Sequence, residues 1–157
     1  MPILAGLIFV SITAYVRMRR KLEREIFLRQ TAVKSSKKSE SLVESIVENI
    51  PHMIFVKDAL ELRFVLFNEA GEKLLGFSRE ELIGKNDYDF FPKEEADFFT
   101  TKDRSVLKEG KLVDIPEEPI HTRSRGTRIL HTKKIPILDE VGKPRYLLGI
   151  SVDITDR

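Results

Sequence analysis

The chain has 157 residues, enough for one domain and an appendage, and its 41% apolar and 33% charged residues fit a globular protein. It has no cysteine, which excludes disulfides, thiolate zinc sites and cysteine nucleophiles. The net charge of +2 hides an asymmetry: residues 17–38 hold nine Lys/Arg and two Glu, whereas residues 39–157 hold eighteen Lys/Arg and twenty-three acids. The basic character belongs to an early segment, and the acidic remainder would repel phosphate, so nucleic-acid binding is not expected.

Pro2 to Val16 carries no charge and is mostly apolar. A bilayer-spanning helix needs about 20 such residues, so this run is short. Arg17, Arg19, Arg20, Lys21 and Arg24 follow it at once. A secretory signal carries its charges before the apolar run, not after. The order predicts a truncated transmembrane helix over residues 1–16, with everything after Arg17 in the cytoplasm. A helix packed on the domain, or an interfacial anchor, is the alternative. Residues 17–40 read as a basic juxtamembrane connector, some of its cations lying against lipid head groups. Leu22 and Ile26 give only a broken apolar stripe, and Lys34–Ser39 reads as a loop or hinge.

From residue 41 the elements come in order. Ser41 and Glu44 form a capping box for a helix ending before Pro51. Met53–Lys57 and Leu62–Phe67 make a hairpin. Asn68 caps a helix over Glu69–Leu75, closed by Gly76, and Ser78 caps another over Arg79–Ile83. An aromatic turn, Asn86–Phe91, precedes the longest helix, Lys93–Glu109. Lys111–His121 is a third strand. Arg128–Leu138 and Arg145–Thr155 form a final hairpin around Gly142 and Pro144. In the last strand Tyr146, Leu148, Ile150, Val152 and Ile154 alternate with residues of the other face, and they are expected to be the buried set. Pro136 cannot donate to a ladder, so it should lie past a neighbour's end or at a bulge. The order predicts an α+β fold with an antiparallel sheet, its helices gathered in the middle of the chain.

Four stretches then resemble the PAS domain, a sensor module of bacterial signalling proteins: Asn68-Glu69-Ala70; Leu75 to Lys85; Lys134-Ile135-Pro136-Ile137 with Gly142; and Gly149 to Thr155. The resemblance covers about Leu42 to Asp156. It implies a five-stranded antiparallel sheet with helices enclosing a small cavity on one face, over a domain of residues 41–157. It also implies a signal exit at Asp153, Ile154 and Thr155. With the predicted membrane helix, it suggests the input region of a sensor histidine kinase in the bacterial inner membrane. Such a module would form a homodimer and relay to an output domain absent from these residues. A cyclase or chemoreceptor input, a pure dimerisation module and a self-contained α+β enzyme are the alternatives.

The residues expected to line a pocket are Ile54, Val56, Phe64, Leu66, Leu82, Asn86, Phe90, Phe91, Ile135, Leu148 and Ile150. Haem-binding members place an axial histidine on or near the long helix, which has none here. Light-sensing flavin members use a cysteine just after the position matching Asn86, where Asp87 stands, so a covalent flavin is excluded and a non-covalent one is not. The cofactor is otherwise open. His52, His121 and His131 are too scattered to predict a metal site. Glu94, Glu95 and Asp97 read as helix N-terminal acids without a partner base, so no catalytic residue is assigned. Asp87 or Asp89 is a candidate to pair with Lys133 or Lys134, with an exposed pair of small effect as the simpler reading.

Overall fold

No glycine or proline lies between Leu7 and Ile50, and one helix, α1 (Pro2–Asn49), runs through the whole of this stretch. The computed structural model describes the backbone of residues 2–156 and the side chains of residues 13–156. The expected hinge at Lys34–Ser39 is helical, and Ser41 is a helix-interior residue rather than a cap. Serine and lysine cost a helix only tenths of a kcal/mol each, about, so polarity alone does not break it. Pairs four residues apart support the exposed turns: Arg19 with Glu23 at 3.0 Å and Glu25 with Arg29 at 2.9 Å. Among the described residues no helix is long and apolar enough to cross a membrane. Most of the predicted span lies outside the residues whose side chains are described.

The chain divides into two compact units, Met1–Ser45 and Ile46–Arg157. The second unit carries the remaining elements: β1 (Met53–Asp58), β2 (Phe64–Phe67), α2 (Glu69–Leu75), α3 (Arg79–Leu82), a 3-10 turn (Asp87–Asp89), α4 (Lys93–Glu109), β3 (Val113–Thr122), β4 (Gly126–Leu138) and β5 (Pro144–Asp153). The strands form one antiparallel sheet in the order β2-β1-β5-β4-β3, with β5 central. Pro136 pairs with Leu147 of β5 and lies beyond Val113, where β3 begins opposite Lys134, so its missing donor leaves no gap in that ladder.

β2 starts two residues later than its apolar run suggests. Asp58 accepts hydrogen bonds from the backbone N–H groups of Leu60, Glu61 and Arg63, which fixes a turn. Leu62 takes a positive φ of 57° inside that turn and buries its side chain. Two bulges adjust the faces. In β2, Phe64 opposes Lys57 and Phe67 opposes Phe55, so two aromatics three residues apart both point inward. In β3, Ile115 opposes Thr132 and Glu118 opposes Leu130, so Pro116 and Glu117 together face one residue of β4.

Asn68 ties the start of the domain together and is wholly buried. Its Oδ1 accepts from the N–H of Gly71 at 3.1 Å, capping α2, and from the N–H of Ile54 at 2.9 Å. Its Nδ2 donates to the carbonyls of Val47 at 3.0 Å and His52 at 2.9 Å. Nearby, Arg79 donates to Glu48 and Glu72. Truncating Asn68 removes a cap and leaves buried backbone groups unpaired. Asn68→Ala is therefore expected to lose about 2–4 kcal/mol in urea unfolding. Asn68→Asp keeps the two acceptor roles but sets a carboxylate against two carbonyls, so it should rescue little of that loss.

Candidate functional site

The inner face of the sheet carries buried polar side chains among its apolar ones. Pointing inward are Met53, Phe55 and Lys57 of β1, Leu130, Thr132 and Lys134 of β4, and Leu147, Gly149 and Ser151 of β5, all buried. Gly149 lies directly opposite Phe55, and the Phe55 ring covers the space a side chain there would fill. Thr132 and Ser151 pair across the strands with their hydroxyls 2.9 Å apart.

Five charged side chains meet under this face, and each is nearly sealed from solvent: Lys57 and Lys134 are 2% exposed, Asp87 3%, Asp103 0% and Glu118 4%. Asp103 is the hub. It lies on the same stripe of α4 as Ala96, Phe99 and Val106, all buried. Its Oδ2 accepts from Lys57 Nζ at 2.8 Å, and its Oδ1 from Lys134 Nζ at 2.7 Å. Lys57 also donates to Asp87 at 2.5 Å. Asp87 is held by the 3-10 turn, whose cap is Asn86: the Asn86 side chain accepts from the Tyr88 N–H, and its own N–H donates to Asp89. Glu118 Oε1 lies 3.4 Å from Lys134 Nζ, a long ion pair without a hydrogen bond.

These contacts set the ionisation states. Burial would lower the Lys57 pKa, but the charges of Asp103 and Asp87 outweigh it and hold the ammonium protonated above its ordinary range. Burial likewise pushes the Asp103 carboxyl up, and here two lysines overcome it, leaving its pKa below the usual aspartate value. Asp87 has only Lys57 in contact. Burial therefore wins, helped by the Asp103 charge, and its pKa stands above the aspartate range.

Lys57, Asp87, Glu118 and Lys134 of this cluster form one wall of a cavity of about 30 Å3, with Asp103 behind them. The other walls are apolar: Met53, Leu75, Ile120 and the rings of Phe55, Phe64, Phe67, Phe91 and Phe99. The rings pack edge to face, with Phe55–Phe64, Phe64–Phe67 and Phe91–Phe99 centroids 6.0, 5.7 and 5.3 Å apart. Lys57 Nζ stands 4.9 Å from the Phe64 centroid and Lys134 Nζ 5.7 Å from that of Phe99.

Of the residues expected from the sequence to line a pocket, Phe64 and Phe91 do so. Leu82 is buried in the surrounding core, Phe90 packs against Phe77, and Asn86 acts as the turn's cap. Val56, Leu66, Ile135, Leu148 and Ile150 lie on the opposite face of the sheet, half-buried, and Ile54 is buried on that same face. The half of β5 expected to be buried, Tyr146 to Val152, is thus the outer row, and Leu147, Gly149 and Ser151 take the inner one. A strand's two faces differ by one residue, so choosing the more apolar row moves every side chain across the sheet.

Asp87 does find a lysine, but it is Lys57; Lys134 instead meets Asp103 and Glu118. The pairing is buried, not superficial. The sequence reading missed Lys57, Asp103 and Glu118 altogether. For Asp103 a signal existed: Ala96, Phe99, Asp103 and Val106 follow the three-and-four spacing of one helix face. The acids at the start of α4 are engaged locally: Glu95 contacts His121, and Asp97 accepts from Tyr88 and Lys93. Among the described residues no group of three His, Cys, Asp or Glu side chains could hold a metal ion.

The end of β5, where the sequence leads us to expect a signal exit, is fastened to β4. Asp153 accepts from the N–H and hydroxyl of Thr155 and pairs with Arg128 at 2.8 Å. The Thr155 hydroxyl oxygen accepts from the Ile129 N–H at 2.8 Å, and Ile154 N–H donates to the Ile129 carbonyl at 2.9 Å.

Comparison with solved structures finds the same fold in several settings. The PAS domain of an HTR-like protein from Haloarcula marismortui matches with a TM-score of 0.65 and 23% identity, over 80% of this chain and 99% of that one. An RNA-binding light-oxygen-voltage receptor matches with a TM-score of 0.62 and 19% identity over 74% of this chain, which spans only 33% of that receptor. VqmA bound to DPO matches with a TM-score of 0.63 and 28% identity, over 71% of this chain and 56% of that one. No curated protein matches the chain by sequence. The sequence profile described as the PAS fold matches residues 47–157. With that match over most of its length and a five-stranded sheet closing on a small cavity, the chain belongs to the PAS fold family of sensor and signal-transduction modules.

Proposed function

We propose that this chain is a sensory PAS module on the cytoplasmic side of a bacterial inner membrane, acting as a homodimer and relaying a signal to an output domain, with a histidine kinase favoured. It carries no catalysis of its own. The observation that supports the reading most is the path from cavity to exit. β5 lays Leu147, Gly149 and Ser151 along the inner face and ends in Asp153, whose contacts with Thr155 and Arg128 fasten the exit to β4. A change at the Lys134 end of β4 and a change at the exit therefore act on the same pair of strands. VqmA bound to DPO, 28% identical, supports a bound ligand as the stimulus. Membrane attachment rests on the uncharged run before Arg17 and the basic residues after it.

The test joins the full chain, through Arg157, to the catalytic core of a dimeric histidine kinase and reconstitutes the fusion in liposomes. Autophosphorylation should change several-fold when Arg128→Ala frees the exit from β4, and the fusion should stay in the membrane pellet after a high-salt wash. A fusion whose kinase rate ignores Arg128 overturns the relay, and one that salt washes into the supernatant overturns the membrane attachment.

A further inference from the structure

Glu118 is the one buried side chain among the described residues with a polar atom lacking a hydrogen bond: its Oε1 is sealed from solvent and has only the Lys134 ammonium, 3.4 Å away, as a loose ionic neighbour. It is also a wall residue of the cavity. A buried acceptor without a hydrogen bond carries a desolvation cost, and an ordered water, an ion or a ligand can complete it. The bulge in β3 adds a second sign. Without the extra residue, the alternation from Ile115 would turn Glu117 inward; with it, Glu118 and then Ile120 take the inner positions. The strand's irregularity thus selects this carboxylate for the cavity.

Charge decides what completes it. The cluster holds two lysines and three carboxylates, all buried. Asp103 is shared by both lysines and Asp87 is taken by Lys57, so the excess negative charge falls to Glu118. An anion would meet that excess head-on. A hard metal ion needs several free oxygens, and both of Asp103 and Oδ2 of Asp87 are committed to ammonium groups. The remaining wall is a set of phenylalanine rings, whose faces attract cations. Lysines already stand over Phe55, Phe64 and Phe99; among the described residues none stands over Phe67 or Phe91. A cavity of about 30 Å3 holds a group of roughly one or two heavy atoms, no larger than a methylammonium group.

We propose that this cavity binds a small organic cation bearing N–H donors, the head group of a primary amine, with Glu118 as its counter-ion and the phenylalanine rings around its alkyl part. This deepens the sensory reading and rests on it for its biological meaning, but not for the binding itself.

The test uses the full chain carrying 13C-methyl labels on methionine and isoleucine, since Met53 and Ile120 both line the cavity. Methylammonium chloride is titrated against potassium chloride at constant ionic strength, with sodium acetate and acetamide as anionic and neutral probes. Saturable shifts of the Met53 and Ile120 methyl signals are expected with methylammonium only. Glu118→Gln should weaken them at least tenfold while leaving the other methyl signals in place. Glu118→Asp, which keeps the charge on a shorter arm, should retain part of the binding. The proposal is overturned if methylammonium gives no saturable shift, if potassium gives the same one, if acetamide binds as tightly, or if Glu118→Gln binds as the wild type does. The kinase fusion answers separately. A responsive fusion with no methylammonium binding leaves the relay standing and removes the amine; binding with an unresponsive fusion does the reverse.

Discussion

Asp103→Ala is expected to lose about 3–5 kcal/mol of stability, much of what a domain of this size has. The loss exceeds that of any other member of the cluster because Asp103 accepts from both lysines at once, at 2.8 and 2.7 Å. Without it, Lys134 keeps only Glu118 at 3.4 Å, and a buried ammonium is left nearly unpaired. Glu118→Gln tests whether position or charge count matters. It removes a carboxylate too, but one with an unsatisfied oxygen and no part in holding Lys57, so its urea midpoint should stay near that of the wild type or rise. Equal losses for the two variants would show that Asp103 is not the hub. The pH dependence has a definite sign. The folded-state pKa of Asp103 lies below the ordinary 3.8, so its stabilisation is fully present above that value and is lost as pH falls through the lower one. The gap between wild type and Asp103→Asn should therefore be constant near neutrality and narrow below pH 3.8. Asp87 works the other way: with its pKa raised, the folded state favours its protonated form, and that contribution fades as pH rises.

Gly149→Ala is expected to destabilise by about 1–3 kcal/mol, at or beyond the upper end of that range, although alanine suits a strand better than glycine. The added methyl would collide with three atoms of the Phe55 ring. The ring has little freedom to turn away, since it packs edge-on against Phe64 at 6.0 Å and lies 5.4 Å below the Lys57 ammonium. Because the cause is a single contact, it should appear as coupling. Phe55→Leu alone costs stability, but in its presence Gly149→Ala should cost much less, giving a double-mutant interaction of about 1 kcal/mol or more. Additive losses in urea would mean that the glycine is required for some other reason.

Much of the architecture is legible in the sequence because it is encoded locally. Asn68 and Ser78 announce the helix starts, Gly76 and Gly110 the stops, and α4 runs over the predicted residues. The site was legible in far smaller part, for a physical reason. Hydrophobic alternation identifies a strand and then assigns the apolar row to the interior, but here the apolar row of β5 faces outward. Lys57 and Lys134 look like surface residues because lysine is almost never buried without a partner, and their partner, Asp103, is 46 and 31 residues away. Glu118 was hidden by a bulge that no local pattern announces. α1 failed in the opposite direction: its polar Lys34–Ser39 stretch suggested a break, but the stretch has neither glycine nor proline and the helix runs through it.

The bulge in β3 has a meaning in genetic terms. Since Pro116 and Glu117 together face one residue of β4, the strand already accommodates a one-codon insertion. Loss of either codon in frame would restore plain alternation and still turn Glu118 and Ile120 inward, so the chemistry of the cavity is buffered against the smallest length change at this edge. The regular part of β4 has no such cushion. In β4, where every residue from Leu130 to Ile137 is paired with β5, one codon gained or lost would send Lys134 out to solvent and leave the carboxylates of the cluster without it.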